Sequence, residues 1–96
     1  MQSLPEVTLL SRAVEKVKLT KADIEYFNEV MSNGTKFKEW IRDASPDFVV
    51  LAKCAKYELA RGRVRSDIYR TIVQRYNNLF GDVNRATAFA LLGRAA

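Results

Sequence analysis

The sequence contains no histidine and only one cysteine, Cys54. Without histidine, the chain lacks the commonest general base and the commonest metal ligand in proteins. A lone cysteine cannot form a disulfide within the chain, and Cys54 has apolar neighbours, so we expect it to be buried and unreactive. Glycine-rich phosphate loops and paired-cysteine motifs are also absent. We therefore predict that the protein is not an enzyme and has no metal or cofactor.

Long apolar runs are missing too. None approaches the roughly 20 residues that a membrane-spanning helix needs, and no basic segment followed by an apolar one opens the chain. We therefore expect a soluble cytoplasmic protein that does not enter a membrane. Its 96 residues suffice for one domain with a single modest core, and its 48% hydrophobic and 28% charged residues are ordinary for a globular protein.

Apolar residues recur at helical spacing, and no stretch alternates as a strand would. We predict an all-α fold, a compact single-domain bundle of five to six helices that covers residues 1–96. The predicted helices span about residues 4–18, 21–32, 36–43, 46–61, 67–80 and 83–92.

The fourth of these helices is predicted to be central, because its apolar residues leave only a narrow polar stripe at Lys53 and Lys56. Ser45 is a good N-cap, Pro46 is tolerated at a first helical position, and Gly62 can adopt the left-handed conformation that ends a helix. We therefore expect this helix to be packed on more than one side.

Capping residues set the other expected boundaries. Thr20 and Asp23 have the spacing of a capping box at the start of the second helix. Thr35 is expected to cap the third helix and Asp82 the sixth, which would end at Gly93. The third helix carries an apolar plug for the core, formed by Phe37, Trp40 and Ile41.

The fifth helix is the most clearly amphipathic segment. Placed at 100° per residue, its apolar half carries Ile68, Tyr69, Ile72, Val73, Tyr76, Leu79 and Phe80. Its polar half carries Asp67, Arg70, Thr71, Gln74, Arg75, Asn77 and Asn78. We therefore assign Tyr69 and Tyr76 to the core. Only Asp67 is acidic on the polar half, and its place in the first turn is explained by the helix dipole.

The net charge of +5 is confined to the last third of the chain. Residues 1–60 contain nine basic and nine acidic side chains, whereas residues 61–96 contain seven arginines, no lysine and two acids. The planar guanidinium group matches phosphate and carboxylate groups with two parallel hydrogen bonds. Because all basic residues of this segment are arginines, the sequence indicates a binding surface there.

We therefore predict a nucleic-acid-binding protein that contacts the phosphate backbone and belongs to a nucleoprotein complex. Arginine side chains would bind phosphates, and glutamine or asparagine side chains can form hydrogen bonds with base edges. The predicted site consists of Arg61, Arg63, Arg65, Arg70, Gln74, Arg75, Asn77 and Asn78. DNA and RNA, single or double stranded, all remain open.

Two alternatives stand beside this prediction. The polar side chains of the fifth helix can simply solvate its outer face, which is the usual role of such residues. The protein can also be an interaction or assembly subunit whose arginines meet an acidic protein surface. The helix at 83–92, which is apolar all round, is either inserted in the core or, in this second case, exposes Phe89 or Leu91 to a partner or to a second copy of the chain.

Overall fold

A computed structural model describes residues 6–62 and 64–95 of the chain. Six α-helices and one π-helical turn follow one another there, without any β-strand in this part of the chain. They are α1 (Glu6–Ala13), α2 (Lys21–Val30), α3 (Gly34–Glu39), the π-helical turn (Trp40–Ala44), α4 (Phe48–Ala60), α5 (Ser66–Phe80) and α6 (Arg85–Ala95). The predicted all-α bundle is confirmed. Within the described ranges, no helix has the length and apolar character needed to cross a membrane.

Helix α4 is central, as predicted, because it packs against α1, α2, α5 and α6. Its side chains Leu51, Ala52, Cys54 and Ala55 are completely buried. The two alanines have little volume, which allows neighbouring helices to approach closely. Burial of Cys54 is confirmed, and this burial raises the pKa of its thiol.

Helix α6 belongs to the core and packs against α1, α4 and α5. Phe89 and Leu92 are fully buried, and the ring of Phe89 lies 5.7 Å from that of Tyr69. Of the two possibilities left open for this helix, insertion in the core is the one observed, and Phe89 is not exposed to a partner. Leu91 is half-buried and also packs against the core.

The start of α4 differs from the prediction. Asp47, and not Ser45, is the N-cap, because its carboxylate accepts a hydrogen bond from the Val50 amide at 2.9 Å. Ser45 instead adopts a left-handed conformation (φ 46°) after the π-helical turn, and Pro46 is buried in the connection. Ser45 and Asp47 can both cap a helix, and Asp47, which is nearer to the first turn of α4, is the one that does so.

Helix α1 ends at Ala13, five residues before the predicted end, and residues 4 and 5 lie outside the described residues. The next residues form a turn in which the Val17 amide donates to the Val14 carbonyl at 3.0 Å. Lys56 of α4 donates to the Glu15 carbonyl at 3.1 Å. Tertiary contacts thus satisfy backbone groups that a longer helix would have paired.

Asparagine takes the capping role at two other helices. Asn33 caps α3, where Thr35 was expected, and accepts from the Lys36 amide at 2.8 Å. At α6, Asn84 replaces the expected Asp82 and accepts from the Thr87 amide at 2.9 Å. The second helix ends at Val30, two residues early, whereas its predicted Thr20–Asp23 capping box is confirmed.

Glycine ends two helices and continues a third. Gly62 has a φ of 89° and follows α4 after one residue, as expected for a left-handed stop. Gly81 has a φ of 82° and follows α5 directly. Gly93 does not end α6, which continues to Ala95. A Cβ atom on residue 93 would lie 2.6 Å from the Ala13 carbonyl oxygen, so glycine allows α6 to approach the end of α1.

The predicted aromatic plug is confirmed for Phe37 and Trp40, which are buried. The Trp40 ring lies 6.1 Å from that of Phe37 and 6.2 Å from that of Phe27 on α2. Its indole nitrogen donates a hydrogen bond of 2.7 Å to the Tyr26 hydroxyl. This cluster joins the segment 34–44 to α2.

The last turn of α5 is the main departure in the core. Leu79 and Phe80, predicted on the buried side, are 63% and 66% exposed, whereas Tyr69 and Tyr76 are buried as expected. Helical periodicity places all four on one side of α5, but the chain turns away at Gly81. The end of α5 therefore extends past the core.

Candidate functional site

The exposed side of α5 carries a row of polar side chains at four-residue intervals. Arg70, Gln74 and Asn78 are all exposed and follow one another about 6 Å apart along the helix axis. Arg75 lies beside this row and is partly exposed. Four of the predicted site residues are therefore together on one face.

This row borders a cavity of about 260 Å³ between α5 and the segment 34–44. Its lining consists of Phe37, Lys38, Ile41, Asp67, Arg70, Thr71 and Gln74. Lys38 was missing from the predicted site. The sequence indicates that Lys38 faces outward, because its neighbours Phe37 and Trp40 form the apolar plug. Only the fold shows that Lys38 lines the same cavity as Arg70 and Gln74.

Asp67 is the one acidic side chain of α5. Its Oδ1 atom lies 3.8 Å from Nη2 of Arg70, and the two side chains are 38% and 71% exposed. An exposed pair at this distance contributes little stability, because solvent screens it and both side chains lose conformational freedom. Arg70 therefore remains available to an external anion.

Arg65 faces inward. Its Nε atom lies 3.6 Å from Oε2 of buried Glu58, and its backbone amide donates to Oε1 of the same carboxylate at 3.2 Å. Its guanidinium group also donates to the Met31 carbonyl at 3.3 Å and lies 4.6 Å from the centre of the Phe37 ring. These contacts connect the start of α5 to α4, to the residue that follows α2, and to α3.

Arg61 lies on another part of the surface. It is exposed, and its guanidinium group stands 5.3 Å from the centre of the Tyr57 ring. The adjoining cavity of about 440 Å³ is lined by Asn28, Met31, Ser32, Tyr57, Glu58, Arg61 and Arg65. Arg63, the third arginine of the predicted turn, lies outside the described residues. Arg61 and Arg65 line this cavity, whereas Arg70 and Gln74 line the one of about 260 Å³.

The Asn77 side chain makes a hydrogen bond within the fold. Its side-chain oxygen accepts a hydrogen bond of 2.7 Å from the backbone amide of Val83. This bond crosses the turn between α5 and α6. The contact was not predictable from the helical pattern, which places Asn77 simply on the polar half.

The C-terminal end of α5 combines charge with exposed apolar surface. A hollow of about 250 Å³ is lined by Phe48, Arg75, Asn78 and Leu79. The Phe48 ring stacks on that of Tyr76, and burial raises the pKa of the Tyr76 hydroxyl. This side of the molecule therefore offers a cation, an amide and aromatic surface together.

No group of three His, Cys, Asp or Glu side chains that could hold a metal ion occurs within residues 6–62 and 64–95. Asp47 is used as a helix cap, and Asp43 pairs with neighbouring Arg42 at 2.8 Å, which lowers the pKa of its carboxyl group. Arg70, Arg75, Lys38, Gln74 and Asn78, by contrast, are cationic and amide side chains, which can bind anions and hydrogen-bond acceptors.

Comparison with protein-family models, with curated proteins and with solved structures gives no significant match to this chain. The function is therefore inferred from its side chains alone.

Proposed function

We propose that the protein is a non-enzymatic nucleic-acid-binding module whose contact surface is the exposed side of α5 together with Lys38. The observation that carries this proposal is the row of Arg70, Gln74 and Asn78 on one helix face, with Arg75 beside it. Guanidinium groups bind phosphate oxygens through charge-assisted hydrogen bonds. Membership of a nucleoprotein complex is part of the same proposal.

The cations and amides have separate roles in this proposal. Arg70 and Arg75 bind phosphates from α5, and Lys38 binds the same backbone from across the cavity of about 260 Å³. Gln74 and Asn78 donate hydrogen bonds to phosphate, sugar or base edges. These contacts are mainly to the backbone, so the binding is expected to depend weakly on sequence.

The other predicted residues take supporting roles. Arg65 and Asn77 position α5, because the guanidinium of Arg65 binds Glu58 and the amide of Asn77 binds the turn before α6. Exposed Arg61 lines a different cavity, so a phosphate contact from it stays a prediction from the sequence. A phosphate contact from Arg63 stays a prediction from the sequence.

The test is fluorescence anisotropy with labelled oligonucleotides over a series of salt concentrations. We expect binding at about 50 mM salt that weakens steeply as salt rises, since bound cations displace counterions from the phosphates. The variants Arg70→Ala and Arg75→Ala should each reduce affinity roughly tenfold for all sequences and lower the salt slope by about one.

Arg94→Ala is the matched control. Arg94 is an exposed arginine of the same arginine-rich last third of the chain, but it lines a different cavity, between α1 and α6. Its removal should change affinity much less than removal of Arg70. Absence of binding at low salt, or equal effects of all three variants, would contradict the proposed surface.

An acidic protein surface is the alternative partner. The same arginines would bind its carboxylates, but Phe89 cannot supply the apolar contact because it is buried in α6. Polyglutamate is a suitable probe for this alternative. If it competes as well as an oligonucleotide of equal charge, the surface recognises negative charge in general and the alternative is favoured.

A further inference from the structure

The cavity of about 260 Å³ next to α5 differs in chemistry between its floor and its mouth. Phe37 is buried and Ile41 is half-buried, so the floor is apolar. Lys38, Arg70 and Gln74 are exposed and lie at the mouth. A ligand that fills this cavity therefore needs an apolar surface for the floor and polar atoms toward the mouth.

Asp67 makes the interior of the cavity unfavourable for a phosphate. Its half-buried carboxylate is the one acidic group among the described lining residues, and it lies 3.8 Å from Nη2 of Arg70. A phosphate that entered the cavity would approach this negative charge and would lose water to the apolar floor, and both changes cost free energy. Phosphates are therefore expected to stay with Lys38 and Arg70, and the interior suits an uncharged group.

Two side chains of the cavity have unused hydrogen-bonding groups. Within residues 6–62 and 64–95, neither the Thr71 hydroxyl nor the Gln74 amide has a hydrogen-bond partner. Each of these groups can both donate and accept a hydrogen bond. A nucleobase has apolar faces and carries donors and acceptors at its edges, so it matches both the floor and these two side chains.

The volume of the cavity is also suitable for a base. Apolar cavities of about 150 Å³ are known to bind a benzene ring. A cavity of about 260 Å³ therefore has room for one nucleobase, which is a larger planar ring system.

The two cations at the mouth determine which part of a nucleic acid lies over the cavity. Lys38 belongs to α3 and Arg70 to α5, and both line the cavity. A backbone whose phosphates bind both cations has to cross the mouth, so a nucleotide lies over it. In a duplex the base of this nucleotide is paired with the opposite strand. In a single strand the base is free to rotate into the cavity.

We infer that this cavity binds one unpaired base of a single strand whose phosphates contact Lys38 and Arg70. The inference rests on the proposed function and specifies the form of nucleic acid that the surface recognises. Thr71 and Gln74 can form hydrogen bonds with the edge of any base, so the preference among bases is expected to be small. A duplex binds through its phosphates alone.

The experiment fills the cavity and compares three labelled probes of equal length at low salt: a thymidine single strand, an abasic single strand and a mixed-sequence duplex. Wild-type protein should bind the thymidine strand roughly tenfold more tightly than the abasic strand, because burial of one ring contributes about this factor. Thr71→Phe places a phenyl ring in the cavity and should abolish the difference. Affinity for the abasic strand and for the duplex should change by less than about twofold, since their contacts are to phosphates.

Three further variants distinguish base insertion from other effects. Thr87→Phe is the matched control, because it makes the same substitution at an exposed threonine of α6 that does not line the cavity. It should preserve the tenfold difference. Ile41→Trp fills the cavity from the opposite wall and should act like Thr71→Phe, whereas Thr71→Ala leaves the cavity open and should preserve most of the difference. Circular dichroism verifies that each variant is folded.

The outcomes separate this inference from the proposed function. If all three probes bind and neither Thr71→Phe nor Ile41→Trp changes the ratio between the thymidine and abasic strands, base insertion is wrong and the phosphate surface stands. If both variants weaken binding to all three probes equally, the added rings obstruct the phosphate contacts and the inference is overturned. If no oligonucleotide binds, both proposals fail.

Discussion

The Nε atom of Arg65 lies 3.6 Å from the Glu58 carboxylate, and the two side chains are only 21% and 5% exposed. This pair joins the end of α4 to the start of α5 and thereby sets the direction in which α5 presents its polar row. Arg65 therefore belongs to the arginine-rich last third of the chain, but its side chain stabilises the fold.

Replacement of Arg65 should therefore reduce stability more than replacement of a surface arginine. Arg65→Ala is expected to lower the free energy of unfolding by about 2–4 kcal/mol, because it leaves the buried Glu58 carboxylate without this cation. Urea unfolding followed by circular dichroism measures the effect. Arg70→Ala, the control, removes only an exposed pair and should cost less than about 0.5 kcal/mol. Equal losses in the two variants would contradict this role for Arg65.

Gly93 should tolerate no side chain. Gly93→Ala places a Cβ atom 2.6 Å from the Ala13 carbonyl oxygen, so α6 must shift away from α1. We expect a loss of about 1–3 kcal/mol in the free energy of unfolding. Gly34→Ala provides the comparison, because no neighbouring atom lies within 4 Å of its Cβ position. That variant should be neutral or more stable by about 0.5–1 kcal/mol.

Removal of the acidic side chain next to Arg70 should increase the affinity for nucleic acid. Asp67→Asn abolishes the negative charge 3.8 Å from Arg70 and should raise affinity for oligonucleotides by roughly twofold to fivefold at low salt. Anisotropy titrations measure this change. The variant should also lose about 0.3–1 kcal/mol of stability, because Asp67 lies in the first turn of α5. Glu25→Gln, an exposed acid on α2, should leave affinity unchanged; an equal increase there would indicate a general charge effect.

Stability should fall at alkaline pH. Burial raises the pKa of the Cys54 thiol above its ordinary 9.0 and the pKa values of Tyr69 and Tyr76 above their ordinary 10.0. The unfolded chain therefore loses these protons first. The stability that the three groups contribute is complete below about pH 9 and decreases as the pH rises further.

Urea unfolding from neutral pH to about pH 11 tests this expectation. Cys54→Ala should be somewhat less stable at neutral pH, because it removes buried volume. Its stability should decline only above about pH 10, where the tyrosines ionise in the unfolded chain. A decline that begins at the same pH in both proteins would show that Cys54 does not contribute.

Helical periodicity was sufficient to predict the all-α fold and the central place of α4, because it reports directly on which faces are buried. Helix ends were harder, since Ser45 and Asp47 are both good caps and tertiary packing decides between them. Periodicity also assigns Leu79 and Phe80 to the core side of α5. It contains no information on how far the neighbouring helices extend, and so their exposure was missed.

The candidate site was predictable only in part, because helical periodicity contains no information on contacts between helices. Sequence places Arg70, Gln74 and Asn78 on one helix face, because all three belong to a single helix. The inward direction of Arg65 depends on Glu58 of α4 and on Met31, the residue that follows α2. The approach of Lys38 to α5 is likewise a property of the assembled chain.

The aromatic cluster of segment 34–44 has a practical use in these experiments. Trp40 is the only tryptophan of the chain, and its indole group is enclosed by Phe27 and Phe37 and bonded to Tyr26. Its fluorescence emission should shift to longer wavelength when the indole enters water on unfolding. Intrinsic emission can therefore monitor folding in the same cuvette in which a dye on the oligonucleotide monitors complex formation.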